Sequence, residues 1–164
     1  MRIKRVWTGI AAGFLLLTLL LPQLALADPA AISLSQASGY CGDSIEATAS
    51  VDLAGIYRIC WNSRTPENVK GTFTASGAGN YSVEFVVPET MKGTYTVYLT
   101  WEDYTQLATS NFTVLPFVKI DPDEGPVGTQ VTFSGNGFAA SQDVQVSFLG
   151  TATAGQANSA GSWT

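Results

Sequence analysis

Apolar and polar residues alternate with a period of two along most of the chain after Ala30. This is the pattern of strands with one buried face, and no stretch carries the 3.6-residue spacing of a helix for long enough to compete. Ile45, Ala47, Ala49 and Val51 fall on one side of their segment, with Glu46, Thr48 and Ser50 on the other. Tyr81, Val83, Phe85 and Val87 oppose Ser82, Glu84 and Val86 in the same way, and Tyr95, Val97, Leu99 and Trp101 oppose Thr94, Thr96, Tyr98 and Thr100. Adding Ile32-Leu34, Tyr57-Ile59-Trp61, Val69-Gly71-Phe73 and Phe112-Val114 predicts about seven strands before Pro116. Ser76-Gly77-Ala78-Gly79-Asn80 and Met91-Lys92-Gly93 supply turns between them.

An ungapped internal match at an offset of 86 residues organises the rest of the chain. Ile32 and Leu34 fall on Val118 and Ile120, and Gly39, Gly42, Ile45 and Ala47 fall on Gly125, Gly128, Val131 and Phe133. At the same offset Cys41 and Cys60 fall on Val127 and Val146. One unit therefore spans 28–115 and a second starts at Pro116. About 86 residues in seven short strands is the size of an immunoglobulin-like sandwich, so the expected fold is an all-β immunoglobulin-like β-sandwich followed by the first half of a similar one.

The second unit, 116–164, carries Ile120-Asp121-Pro122, Glu124-Gly125-Pro126-Val127-Gly128-Thr129, Val131-Thr132-Phe133-Ser134-Gly135 and Gly137-Phe138. These residues resemble the opening of an IPT/TIG-type immunoglobulin-like domain. The first unit keeps the spacing but has Asp43 in place of Thr129 and no Gly-Phe after its second strand, and so reads as a divergent copy. What the resemblance implies is a passive sandwich used in tandem on exported, cell-surface or enzyme-accessory chains. Physically, the Gly-x-x-Gly spacing suits a bend that carries the first strand across to the second sheet.

With 49 residues against 86, the second unit is about 37 short, and Gly161-Ser162-Trp163-Thr164 matches Gly79-Asn80-Tyr81-Ser82 at the start of a fifth strand. The expectation is a fragment of a longer modular chain that continues beyond Thr164, whose half sandwich is disordered or aggregation-prone by itself.

Met1 to Ala27 reads as a signal peptide: Arg2, Lys4 and Arg5, an apolar run from Val6 to Leu21, then Ala25-Leu26-Ala27, with cleavage between Ala27 and Asp28. Its apolar run is shorter than the ~20 residues a membrane span needs. No cysteine follows the cleavage site, which argues against a lipid anchor. Secretion or display at the cell surface is the expected address. Losing the leader removes three of the eight cations and none of the 13 acids, leaving a net charge of −8. Such a surface repels nucleic acid and anionic lipid. The chain holds no histidine, which excludes imidazole-based triads and histidine-ligated metal sites.

Few residues remain as candidates for chemistry. Cys41 and Cys60, an even pair in an exported chain, predict a disulfide, with two buried free thiols or a metal or redox pair as alternatives. Tyr98, Tyr104 and Trp61 could form a sugar-stacking platform if exposed, against a plain core reading. Asp121, Asp123 and Glu124 place three carboxylates within four residues, either a weak calcium site or a solvated acidic turn. The sequons Asn80-Tyr81-Ser82 and Asn111-Phe112-Thr113 fall where a glycan would crowd a sheet. No catalytic residues and no cofactor are expected. The function expected is a non-catalytic structural or interaction module facing an unknown protein or glycan; the alternative is a carbohydrate-binding accessory region of a larger exported hydrolase.

Overall fold

The computed structural model describes residues 29–148 and 150–164. The leader Met1–Ala27 and its cleavage junction at Asp28 lie outside the described residues. Among the described residues the chain is all-β, with one short 3-10 turn at Pro66–Asn68. No helix there is long and apolar enough to cross a membrane. The first unit holds β1 (Ala31–Leu34), β2 (Ser38–Gly39), β3 (Ser44–Val51), β4 (Gly55–Trp61), β5 (Val69–Ala75), β6 (Gly79–Val86), β7 (Gly93–Trp101) and β8 (Gln106–Val114). Four more strands follow: β9 (Phe117–Asp121), β10 (Thr132–Asn136), β11 (Asp143–Phe148) and β12 (Thr151–Gln156).

In the first unit the strands form two sheets, ordered β1-β3-β6 and β2-β8-β7-β4-β5. The chain thus starts in one sheet and crosses to the other between Leu34 and Ser38, where β2 pairs in parallel with β8. Ile45, Ala47, Ala49 and Phe85 from the three-stranded sheet share one buried cluster with Tyr57, Ile59, Trp61, Val97, Leu99, Phe112 and Val114 from the five-stranded sheet. Every one of these sits at the inward phase of its strand's alternation, so the hydrophobic pattern sets the register. Aromatic rings extend this core in two groups. Trp101, Tyr57, Phe73 and Tyr81 stack in a row with centroids 4.4, 5.2 and 5.3 Å apart. Trp61 packs against Tyr95 at 5.2 Å and Phe112 at 5.8 Å.

Three tyrosines in this core share a device. Tyr57, Tyr81 and Tyr95 each donate their hydroxyl to the carbonyl four residues earlier, on Leu53 at 2.8 Å, Gly77 at 3.1 Å and Met91 at 2.8 Å. Each is preceded two residues before by a glycine: Gly55, Gly79 and Gly93. Residues two apart share a strand face. A side chain at that position would meet Trp101 at 2.6 Å for Gly55, and the tyrosine's own ring at 3.6 and 3.8 Å for Gly79 and Gly93. The ring packs on the core, fully buried for Tyr57 and half-buried for Tyr81 and Tyr95, while the hydroxyl pins the preceding loop. Burial raises the Tyr57 phenol above its ordinary value of 10.0, opposed by the Leu53 hydrogen bond and assisted by the nearby Asp52 charge. A raised phenol favours the neutral form in the folded state, so its stabilisation is complete below pH 10 and lost as pH climbs through the folded value. Tyr57→Phe should cost about 1 kcal/mol at neutral pH through the lost hydrogen bond and flatten the alkaline loss of stability. Urea melts of both proteins at pH 7 and above pH 10 measure the two effects.

The pairing of β9–β12 follows that of β1, β3, β4 and β5. β9 pairs with β10 through Val118↔Gly135, Lys119↔Ser134 and Ile120↔Phe133, which is the β1–β3 register Ile32↔Ala49, Ser33↔Thr48 and Leu34↔Ala47 moved by 86 residues. The bridge Gly135↔Trp163 occupies the place of Ala49↔Tyr81 between β3 and β6. β11 and β12 pair as β4 and β5 do, with Val144↔Gly155 and Val146↔Thr153 standing for Tyr57↔Phe73 and Ile59↔Gly71. Four strands and a bridge at Trp163 are present in this part of the chain. Beyond the Trp163 bridge this half has no counterparts of β6, β7 or β8 among the described residues.

The Gly-x-x-Gly motif does the same work in both halves. Gly42 and Gly128 adopt φ of 92° and 93°, a left-handed conformation, with open space around each. Gly39 and Gly125 serve a different need, because a side chain there would meet Asp43 at 2.5 Å or Thr129 at 2.6 Å. The exchange of Asp43 for Thr129 follows from its turn partner. Asp43 accepts the Tyr40 backbone N–H at 2.7 Å. Pro126, at the corresponding place, has no N–H, and there the Thr129 hydroxyl donates to the Pro126 carbonyl at 2.7 Å.

Candidate functional site

The two cysteines are not bonded, which corrects the disulfide expected between Cys41 and Cys60. The cause lies in strand phase. Tyr57, Ile59 and Trp61 face the core, so Cys60 points to the other side of the sheet, where its Sγ lies 4.0 Å from Thr100 Oγ1. Cys41, in the turn before β3, packs at the core margin and its thiol donates to the Thr90 carbonyl at 3.3 Å. The match of Cys60 to Val146 is out of phase, since Val144 and Val146 are the half-buried residues of β11 and so take the phase of Tyr57 and Ile59. Burial pushes the Cys60 thiol up, with the Thr100 hydrogen bond opposing, so its nucleophilic thiolate is suppressed. Non-reducing peptide mapping should find both thiols free, and reductant should leave the melting temperature unchanged. A linked Cys41–Cys60 peptide would contradict this.

Of the three aromatics proposed as a platform, Trp61 is in the core, only 4% exposed. Tyr98 and Tyr104 do reach the outer face of the five-stranded sheet. Tyr98 stands on β7 opposite Cys60, and Tyr104 sits in the β7–β8 turn with φ of 67°. Each ring has a guanidinium over it: Arg58 at 4.9 Å from the Tyr104 centroid and Arg64 at 5.9 Å from that of Tyr98. Arg58 also donates to the Tyr104 hydroxyl at 2.6 Å and lies 3.7 Å from the Glu102 carboxylate, and Arg64 donates to the Tyr104 carbonyl at 3.4 Å. The salt bridge is exposed and contributes little by itself. In the same turn the Thr105 backbone N–H donates to Asp103, holding that carboxyl below its ordinary value.

Around these pairs the sheet face is a flat array of hydroxyls and amides. Thr94 and Thr113 hydroxyls lie 3.3 Å apart, and Thr96 donates to Asn111 at 3.4 Å. Asn111, the first residue of one sequon, is thus exposed but tied across the strands; Asn80 of the other is also exposed. Charge divides between the two faces. Arg58 lies on this outer face, whereas Glu46 and Glu84 stand directly opposite each other on the three-stranded sheet. Such a like-charged cross-strand pair is mildly destabilising.

The acidic turn does not gather a metal-binding set: no three carboxylate or cysteine side chains converge to hold an ion among the described residues, Asp121, Asp123 and Glu124 included. Its surroundings do form a groove of about 690 Å³, running from Pro122–Thr129 to Ser147 over Ile120, Val131 and Phe133. The Arg–Tyr pairs and the tyrosine hydroxyl pins were missed by sequence reasoning. Gly-x-Tyr, occurring three times, was a readable signal for the pins. Arg58 and Tyr104 are 46 residues apart, and nothing local links them. Compared with known proteins, the chain matches no family model, no curated protein and no solved structure.

Proposed function

We propose that the chain is a non-catalytic, exported module whose two parts are immunoglobulin-like sandwiches of IPT/TIG type in tandem, spacing or presenting other components at a cell surface or envelope. The observation that carries this reading is the shared register of the two halves, since it describes one building block used twice in series. A buried tryptophan on β4, Trp61, and a tyrosine near the start of β7 whose hydroxyl reaches back to Met91 support the immunoglobulin-like assignment. Only Leu115 and Pro116 join β8 to β9. Across that joint the Tyr40 and Phe117 rings lie 5.1 Å apart, Lys92 N–H donates to the Gly137 carbonyl at 3.0 Å, and Ala140 N–H donates to Met91 Sδ at 3.2 Å. Gly137, at φ of 72°, lets the linker lie against it; a side chain there would meet the Leu115 carbonyl at 2.6 Å. A short seated linker suits a spacer better than a flexible tether would.

The second reading, a carbohydrate-binding accessory region of a larger exported hydrolase, rests on Tyr98 and Tyr104 beside the Thr and Asn array. Against it, the guanidinium over each ring occupies a face on which a sugar would stack. Two measurements test the proposal. Exported material should have the mass of a chain beginning at Asp28; retention of Met1–Ala27 would make it membrane-anchored instead. Pull-down on common polysaccharides should retain none of the protein, whereas retention abolished by Tyr98→Ala or Tyr104→Ala would favour the accessory-region reading.

A further inference from the structure

The joint between the two halves is held in part by a sulfur atom. The loop from β6 to β7 reaches the second half through two hydrogen bonds: Lys92 N–H donates to the Gly137 carbonyl at 3.0 Å, and Met91 Sδ accepts the Ala140 N–H at 3.2 Å. The same loop is fixed to the first unit, where the Met91 carbonyl accepts the Tyr95 hydroxyl at 2.8 Å and the Thr90 carbonyl accepts the Cys41 thiol at 3.3 Å. With its backbone anchored on that side, the Met91 side chain can change chemically without disturbing the core of the first unit. Met91 is also the one methionine after the leader, since the chain has two and the other is Met1. Among the three sulfur-bearing residues after the leader it is the accessible one: Met91 is 37% exposed, whereas Cys60 is fully buried and Cys41 half-buried. A thioether, unlike a thiol, needs no deprotonation before it reacts.

We propose that Met91 is an oxidation site for hydroperoxides, and that its conversion to the sulfoxide unseats the second half from the first. A sulfur lone pair attacks the peroxide and the O–O bond breaks. One oxygen stays on sulfur and the other leaves as water, or as an alcohol from an alkyl hydroperoxide, so sulfur loses two electrons and the peroxide gains them. The sulfoxide sulfur is electron-poor and no longer accepts an N–H. Its new oxygen does accept, but it stands either between sulfur and Ala140 or out in water, and in neither place can the Ala140 N–H keep the position that the thioether gives it. Methionine sulfoxide reductases, one for each epimer, reverse the change. The inference rests on the seated joint of the functional reading above, and not on export or display.

The full chain carrying Cys41→Ser is the test protein, because serine keeps a donor for the Thr90 carbonyl and removes the half-buried thiol from reaction. It is treated with hydrogen peroxide and followed by peptide mapping, amide exchange and nuclear relaxation of the backbone amides. The expected result is a gain of one oxygen at Met91, with one rotational correlation time shared by both halves before treatment and two distinct times after it. Exchange of the Lys92 amide should become at least tenfold faster, with β3 and β7 unchanged, and reductase treatment should restore the starting values. Met91→Leu, which cannot take up the oxygen, should relax identically before and after peroxide. Uptake of oxygen at Met91 with a single correlation time retained would overturn the proposal and leave the seated joint standing. Two correlation times before any peroxide is added would overturn both. Met91 left unmodified under conditions that oxidise free methionine would also overturn the proposal.

Discussion

Ile45→Ala should destabilise the first unit by about 2–5 kcal/mol, whereas Val131→Ala, at the same place in the repeat, should change stability by less than about 1 kcal/mol. Ile45 lies in β3, and Val131, 86 residues on, immediately precedes β10. Ile45 is 0% exposed and Val131 is 45% exposed. The contrast arises because the cost of a large-to-small change depends on the atoms left facing a void, and only Ile45 has such atoms on every side. Valine is the smaller residue to begin with, but that difference accounts for roughly one methylene, about 0.8 kcal/mol when buried. Denaturant melts of the two variants, read by probes in each half, measure the ratio. Equal losses would mean that something already covers Val131 in solution, and would favour self-association of the open face.

How far the sequence could be read depended on the range of each determinant. Strand phase is local, so the inward sets in β3, β6 and β7 were legible, and so was the 86-residue repeat at its start, where spacing is constant. The same method failed at Cys60. β11 falls out of phase with the 86-residue offset, and in a strand a shift of one exchanges core for outer face. An aligned valine thereby suggested an inward cysteine and, with it, a disulfide. Trp61, considered as a surface aromatic, belongs to the same phase as Tyr57 and Ile59, and that phase was available as evidence for the core. The surroundings of Tyr98 and Tyr104 were not legible, since the arginines over them come from β4 and the loop after it, brought near only by the β4–β7 pairing. The acidic run 121–124 was legible as a turn, but the groove beside it, which also takes in Val131, Phe133 and Ser147, depends on long-range placement that no local pattern shows.

A chain ending at Leu115 should fold cooperatively as a monomer and melt within a few degrees of the transition that the first unit shows in the longer protein, while residues 116–164 alone should show no cooperative transition. The first unit closes its own core: Ile45, Tyr57, Ile59, Leu99, Phe112 and Val114 are each at most 1% exposed, and all their partners lie before Pro116. What truncation removes from it is the joint, namely the Tyr40–Phe117 contact, the Lys92–Gly137 bond and the Met91–Ala140 bond. Because the second half opens first, these contacts are already broken when the first unit of the intact protein melts, so removing residues 116–164 moves that midpoint little. The second half is placed differently. Val118, Ile120, Val127 and Val131 all remain well exposed, so the burial of about 1.5–3 kcal/mol per large apolar side chain that would offset chain entropy is mostly absent. In the intact protein its strands should therefore open before those of the first unit. Amide exchange separates the two regions: β3, β4, β7 and β8 should exchange at the slow, global rate, and β9–β12 orders of magnitude faster. Equal protection of Val144 and Val146 with Ile59 and Leu99, in a monomer, would show that half a sandwich is stable with its core open.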